Sequence, residues 1–307
     1  MVTDHAEPGE ASEDEPELEP ISPEEVRNLL PILPTVRAAL ERQDQQRATA
    51  LFWIAGPLMA PAMPALESLL LDAERMVTLA EEFGDTPQLE LAQRVYNDLL
   101  DAIDGMLLAR DARVLESCRD LMELTVLFRD FEKQPARFAK WQKVAEGERM
   151  RAFGFEKLLR KYPDEPVPYL GPDLDALSIE YTLHSRTLHP AMYLGPKQNL
   201  SRSIPEDQLD AVLFYSGMVT EIVRHGTAAV AVLLVFLLTT HDDSDPDREY
   251  DIELDHWEDD NAGDAWMAWW REVQPVPPPE FEEEMRAVNE QLRRHRPREY
   301  PSAPPEE

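Results

Sequence analysis

The sequence predicts an all-α protein, a multi-helix bundle with an acidic tail in front and an acidic loop ahead of short C-terminal helices. Three observations predict it. Apolar residues recur at helical spacing in one segment after another. No stretch alternates apolar and polar residues with period two, and no Asn-Gly hairpin turn occurs. Helix starts and stops stand where the periodicity begins and ends.

Residues 1–21 are acidic and Pro-rich, with little apolar area to bury, and read as a disordered tail. Ser22-Pro23-Glu24-Glu25 then opens a helix, with Ser as N-cap, Pro in the first turn and acids beside the helix dipole. Pro31 and Pro34 interrupt it, and a second helix is expected from about Thr35. Residues 65–83 are amphipathic and stop at Gly84. Asp85-Thr86-Pro87 restarts the chain into a helix over 87–108, with Leu89, Ala92, Val95, Leu99, Ile103 and Met106 on one side. A helix over 111–132 carries Leu115, Cys118, Leu121, Met122 and Phe128 as apolar positions. A basic-faced helix follows, with a break expected near Gly147 or Gly154. Residues 162–173 form a Pro/Gly loop, and 174–187 a further helix. Ser203-Ile204-Pro205-Glu206 is a capping box opening a long helix to about Thr240. Its 228–238 stretch is apolar all round, which places it in the centre of the bundle. Trp266, Trp269 and Trp270 share one side of a short helix, and 279–294 is a polar terminal helix. The expected organisation is a tail over 1–21, a bundle over 22–240, an acidic loop over 241–262, C-terminal helices over 263–295 packing on the bundle, and a tail over 296–307.

Charge is concentrated rather than spread. The net formal charge is −31, and residues 1–25 hold ten acids with no Lys or Arg. Residues 242–264 hold twelve acids and a single base, Arg248. Together they supply −21, so the other 259 residues carry only −10. This charge disfavours nucleic acid as a partner and suits a basic protein partner. The single cysteine, Cys118, rules out a disulfide within the chain and fits a reducing cytoplasm. Residues 48–66 and 226–240 are uncharged. Pro57, Pro61 and Pro64 break the first, the second is short for a span, and both read as buried protein rather than membrane segments.

Residues 180–195, EYTLHSRTLHPAMYLG, crowd His184, Arg186 and His189 into six positions ahead of Pro190. Pro190 disfavours helical geometry at His189, so a helix is expected to end there. The two histidines then read either as groups near a helix C-terminus or as a general base or ligand. With no cysteine or third ligand nearby in sequence, no metal site and no cofactor are expected. Arg119 and Glu123 stand at i, i+4, with Glu116 three residues before Arg119. They read as a structural ion pair, or as a pocket in which Arg119 holds an anion. The alternating acids from Asp243 to Asp255 lack the glycine of an EF-hand loop and read as a solvated loop.

Two stretches resemble a bacterial family of all-helical proteins known as a domain of unknown function. One is ARDARVLESCRDLMELTVLFRDFEKQPARFAKWQK, with the R-x-x-x-E pair Arg119 and Glu123 and then Trp141. The other is LSIEYTLHSRTLHPAMY, with its His-Pro ending. The resemblance implies a bundle like that of the HEPN superfamily, several of whose members are ribonucleases of toxin–antitoxin or phage-defence systems. Those enzymes place four to six residues between Arg and His. Here Arg186 and His189 are only three apart, a departure from that pattern.

The expected function is that of an uncharacterised, non-catalytic interaction or regulatory bundle in the bacterial cytoplasm. The alternatives are a HEPN-like ribonuclease or defence effector, drawing its chemistry from Arg119, Glu123, His184, Arg186 and His189, and a membrane-associated helical protein. Convergence of Arg119 with His189 would favour the enzyme.

Overall fold

The computed structural model describes residues 34–188, 208–240 and 262–273, apart from Asp164, Pro168, Tyr169 and Pro172. The expected helix at Ser22, the capping box at 203–206, both tails, the acidic loop and the 279–294 helix lie outside these residues. The chain divides into two compact units, residues 1–45 and 46–307. Residues 34–45 of the first unit are the opening turns of α1, Pro34–Ile54, and Arg37 pairs with Glu41 one turn on at 2.9 Å.

The second unit is a helical bundle. After α1 come a short 3-10 turn, Pro57–Met59, α2 over Ala62–Phe83, α3 over Thr86–Leu107 and α4 over Asp111–Lys133. Then follow α5, Pro135–Lys143, α6, Glu146–Phe153, α7, Phe155–Leu159, α8, Leu174–Leu188, α9, Gln208–Thr240, and α10, Ala262–Val273. No strand occurs among the described residues, which hold one isolated bridge, Val167 to Gly171.

Local chemistry sets the boundaries. Gly84 takes the left-handed conformation (φ 71°) and donates its N–H to the carbonyls of Ala80 and Glu81, which ends α2. Thr86-Pro87 restarts the chain because proline fits the first helical turn without losing a bond. The basic-faced segment is broken at Gly154 as expected, but its other break falls at Val144–Ala145, not at Gly147. Val144 and Ala145 are extended, and Gly147 continues the helix that Ala145 caps.

α4 and α9 form the centre and pack against each other, with α2 and α3 also against α9. α4 buries Cys118, Leu121, Met122, Thr125, Phe128 and Phe131. Phe236 of α9 lies among Phe128, Phe131 and Phe138 at centroid separations of 5.4, 5.6 and 5.1 Å, within the range where aromatic rings attract. Gly226 lets α9 come close: a Cβ there would stand 2.6 Å from a methyl of Leu69 and 2.7 Å from one of Leu99. α10 packs on α2 and α9. Its Trp266 is fully buried and donates Nε1–H to Thr220 Oγ1 at 3.1 Å. Residues 211–240 are long and apolar enough to cross a membrane, and two thirds of the most apolar 18-residue window within them is buried inside the bundle.

Polar bonds hold the periphery. Arg47 grips Asp104 Oδ1 through Nε and Nη2, tying the end of α1 to α3. Asp130 is fully buried and accepts from Arg137 Nε (2.5 Å), Lys161 Nζ (2.6 Å) and Tyr162 Oη (3.0 Å). A buried carboxylate needs such partners, and these three fasten α5 and the turn after α7 to α4.

Candidate metal centre

α8 and α9 each carry glutamate and histidine four residues apart, Glu180 with His184 and Glu221 with His225. That spacing puts both groups of a pair on one helix face, one turn apart. The two faces meet. One donor atom from each of the four side chains lies within 4.8 Å of all the others. His225 Nε2 is 3.0 Å from Glu180 Oε1 and 3.1 Å from Glu221 Oε2. His184 Nε2 is 3.5 Å from Glu221 Oε2. The two imidazoles stand nearly perpendicular, 83° apart with centroids at 5.5 Å, so both Nε2 atoms reach the same carboxylate without the rings overlapping.

The four side chains are not equally covered. His225 is fully buried and His184 nearly so, while Glu180 and Glu221 keep 18% and 33% of their side-chain surface in contact with solvent. The histidines thus form the floor and the carboxylates the wall toward water. Burial alone would drive protons off His225, but its hydrogen bonds to Glu180 and Glu221 and their charges outweigh it and raise its pKa. Burial would raise Glu221, yet hydrogen bonds from His184 and His225 hold it well below the usual carboxylate range. Burial would also raise Glu180, yet the hydrogen bond and charge of His225 and the charge of Arg224 lower it. A carboxylate only accepts, so His225 Nε2 carries the hydrogen it shares with the two glutamates, and a cation bound at this nitrogen would displace that hydrogen to solvent. Its Nδ1 is buried with no hydrogen-bond partner among the described residues.

Arg224 adds a cation at the rim. Its Nη1 donates to Glu180 Oε1 at 2.5 Å and its Nη2 to the carbonyl of Leu170 at 3.0 Å. On the α4 side, burial first and then the charges of Glu221 and Glu180 push the Cys118 thiol well above its ordinary pKa, which leaves it an inert core group.

These residues fit a first-row divalent ion. Metal–ligand bonds of about 2.0–2.2 Å place neighbouring donors roughly 3 to 4 Å apart, a spread the four donors already approach. Two imidazole nitrogens and two carboxylate oxygens are a mixed set of the kind zinc, iron and manganese accept. The two carboxylates balance a charge of +2.

The residues singled out from sequence fall in different places. His184 belongs to the centre. Glu123 does not; it accepts a hydrogen bond from Tyr181 Oη at 2.6 Å, on the neighbouring face of α8. Arg119 is held by Asp120 Oδ1 at 2.7 Å and lies 3.9 Å from Glu123. The carboxylate nearest Arg119 is therefore that of Asp120, while Glu116, three residues before Arg119, turns back to Arg113 at 3.3 Å. Arg119 and Glu123 meet α8 through Tyr181, one turn before Ser185. The side chain of Arg186, and His189 altogether, lie outside the described residues. Glu180, Glu221 and His225 were not singled out from sequence, although E-Y-T-L-H and E-I-V-R-H repeat the same spacing. The second string sits in an apolar helix some forty residues on, and only the fold brings the two together.

No known protein family, no curated protein and no solved structure matches this chain.

Proposed function

We propose that this chain is a metal-binding helical bundle with a regulatory or interaction role, in which Glu180, His184, Glu221 and His225 hold one first-row divalent cation between α8 and α9. The single observation that carries this reading is the convergence of four donors from two E-x-x-x-H turns within 4.8 Å. Four protein ligands fill a tetrahedral ion, as structural sites do, whereas catalytic zinc sites keep a position for water. The donor set therefore supports a role in holding two helices together more than one in turnover. Calcium and magnesium prefer all-oxygen shells, so zinc, iron or manganese suit this centre better.

The test is direct. Chelator-stripped protein is titrated with Zn2+ and Co2+, with Mg2+ as the control for loose binding to the acidic segments. One tight equivalent is expected. His225→Ala and His184→Ala leave every acid in place and should each weaken binding by tenfold or more, on the order of what an altered metal shell costs. Binding that these substitutions leave untouched would sink the reading.

Interaction with a basic partner in the cytoplasm remains part of this proposal, supported by the concentrated acidic charge. The ribonuclease alternative has less support: Arg119 is engaged by Asp120 and Glu123 by Tyr181. Purified protein is expected to leave RNA intact. Cleavage abolished by His189→Ala would replace the metal-centred reading with the enzymatic one.

A further inference from the structure

The carboxylate of Glu180 is shared. His225 Nε2 and Arg224 Nη1 both contact its Oε1, at 3.0 and 2.5 Å. The other arm of the Arg224 guanidinium donates to the Leu170 carbonyl at 3.0 Å. Leu170 is itself fixed: its side chain is buried, its N–H donates to Val167 O at 3.2 Å, and Gly171 beside it takes a left-handed φ of 97°. One planar guanidinium therefore bridges a backbone carbonyl before α8 to a carboxylate on α8, from a base on α9. Arginine suits this because its fork holds two acceptors at once in fixed relative positions.

We propose that Arg224 is a positioning residue for the metal centre. It orients Glu180 toward the ion and joins occupancy of the centre to the backbone at Leu170. This rests on the metal-binding reading above. The donor to a ligating carboxylate is the outer partner that such centres depend on. Without it Glu180, 18% exposed, is free to turn toward water. Arg224 also supplies a cation to Glu180 when no metal is bound, so the carboxylate stays in place in both states.

The experiment uses full-length protein and Co2+, whose visible absorption reports the number and geometry of its ligands. Wild type should take up one equivalent. Arg224→Met should bind it on the order of tenfold to a hundredfold more weakly. Its bands should also move, because Glu180 no longer holds its orientation. A loss of folded protein would shrink the bands without moving them. Arg224→Lys keeps one donor to Glu180 and should recover much of the affinity. Amide exchange at Leu170 should slow when Co2+ binds wild type, and should respond less in either variant. Wild-type affinity and wild-type bands in Arg224→Met overturn the proposal while leaving the metal centre intact. If Arg224→Met does not fold, a Leu170 amide that slows on Co2+ binding as much in Arg224→Lys as in wild type overturns it instead. A wild-type chain that binds no Co2+ overturns the metal-binding reading and this inference with it.

Discussion

Asp98 shows how one residue is forced into an unfavourable setting by its neighbours. Its Oδ2 is buried on α3 without a hydrogen-bond partner, and Arg94 Nε stays 3.8 Å away. Burial first, and then the charge of Asp120, push its carboxyl up to about 7, with Asp101 adding to the rise and Arg94 and Arg113 opposing it. The folded-state value lies above the ordinary 3.8. The folded chain therefore keeps a proton that the unfolded chain has lost between about pH 4 and pH 7, and stability falls as pH rises through that window. Asp98→Asn removes the titration. It should match wild type near pH 4 and be more stable near pH 8 by about 1 to 3 kcal/mol, after allowance for partial solvent screening. Urea denaturation at the two pH values measures this, and equal differences at both would contradict it. Polar residues of this kind were only partly legible in the sequence. Arg119 and Glu123 are visible as an i, i+4 pair, but their actual partners, Asp120 and Tyr181, depend on rotamers and on which helix lies opposite.

At the scale of elements, the approach of α9 to α2 and α3 decides where the Glu221–His225 pair meets Glu180 and His184. Gly226 follows His225 directly and occupies the place where Leu69 and Leu99 press closest. Gly226→Ala gains up to about 1 kcal/mol in helix propensity. Against that, overpacking of a filled interior costs roughly 1 to 3 kcal/mol. Leucine methyls can yield somewhat, so the expected net effect is a modest drop in melting temperature together with weaker Zn2+ uptake as α9 shifts. A rise in melting temperature would show that the contact is slack. Most helix boundaries here were readable, because caps and prolines act locally: Gly84 ends α2 and Thr86-Pro87 opens α3. The break at Val144–Ala145 lies two residues before Gly147, close to the expected place, although neither residue is a breaker by type.

For the molecule as a whole, α9 is both the most apolar helix and the one that carries Glu221, Arg224 and His225. Val232 lies in its buried stretch. Val232→Asp puts a carboxylate among apolar side chains without a partner, at a cost of about 3 to 5 kcal/mol. That is a large share of the stability of an ordinary domain. The variant should melt far lower, or be digested rapidly under limited proteolysis that spares wild type. Resistance equal to wild type would mean that this part of α9 is not core.

The sequence by itself determined the helical class, the order of the described helices, most of their ends and the central place of α9. These follow from periodicity, caps and prolines, which act within a few residues of chain. Only the tertiary structure decided that Glu180 and His184 face Glu221 and His225. Each helix shows a glutamate and a histidine on one face, a pattern that serves equally well for a surface pair, a buried ion pair or half of a metal site. Which of these it becomes depends on what the other helix presents across the gap. That is set by the packing of α9 against α2, α3 and α4, with Gly226 admitting the close approach and Arg224 holding Glu180 from the side.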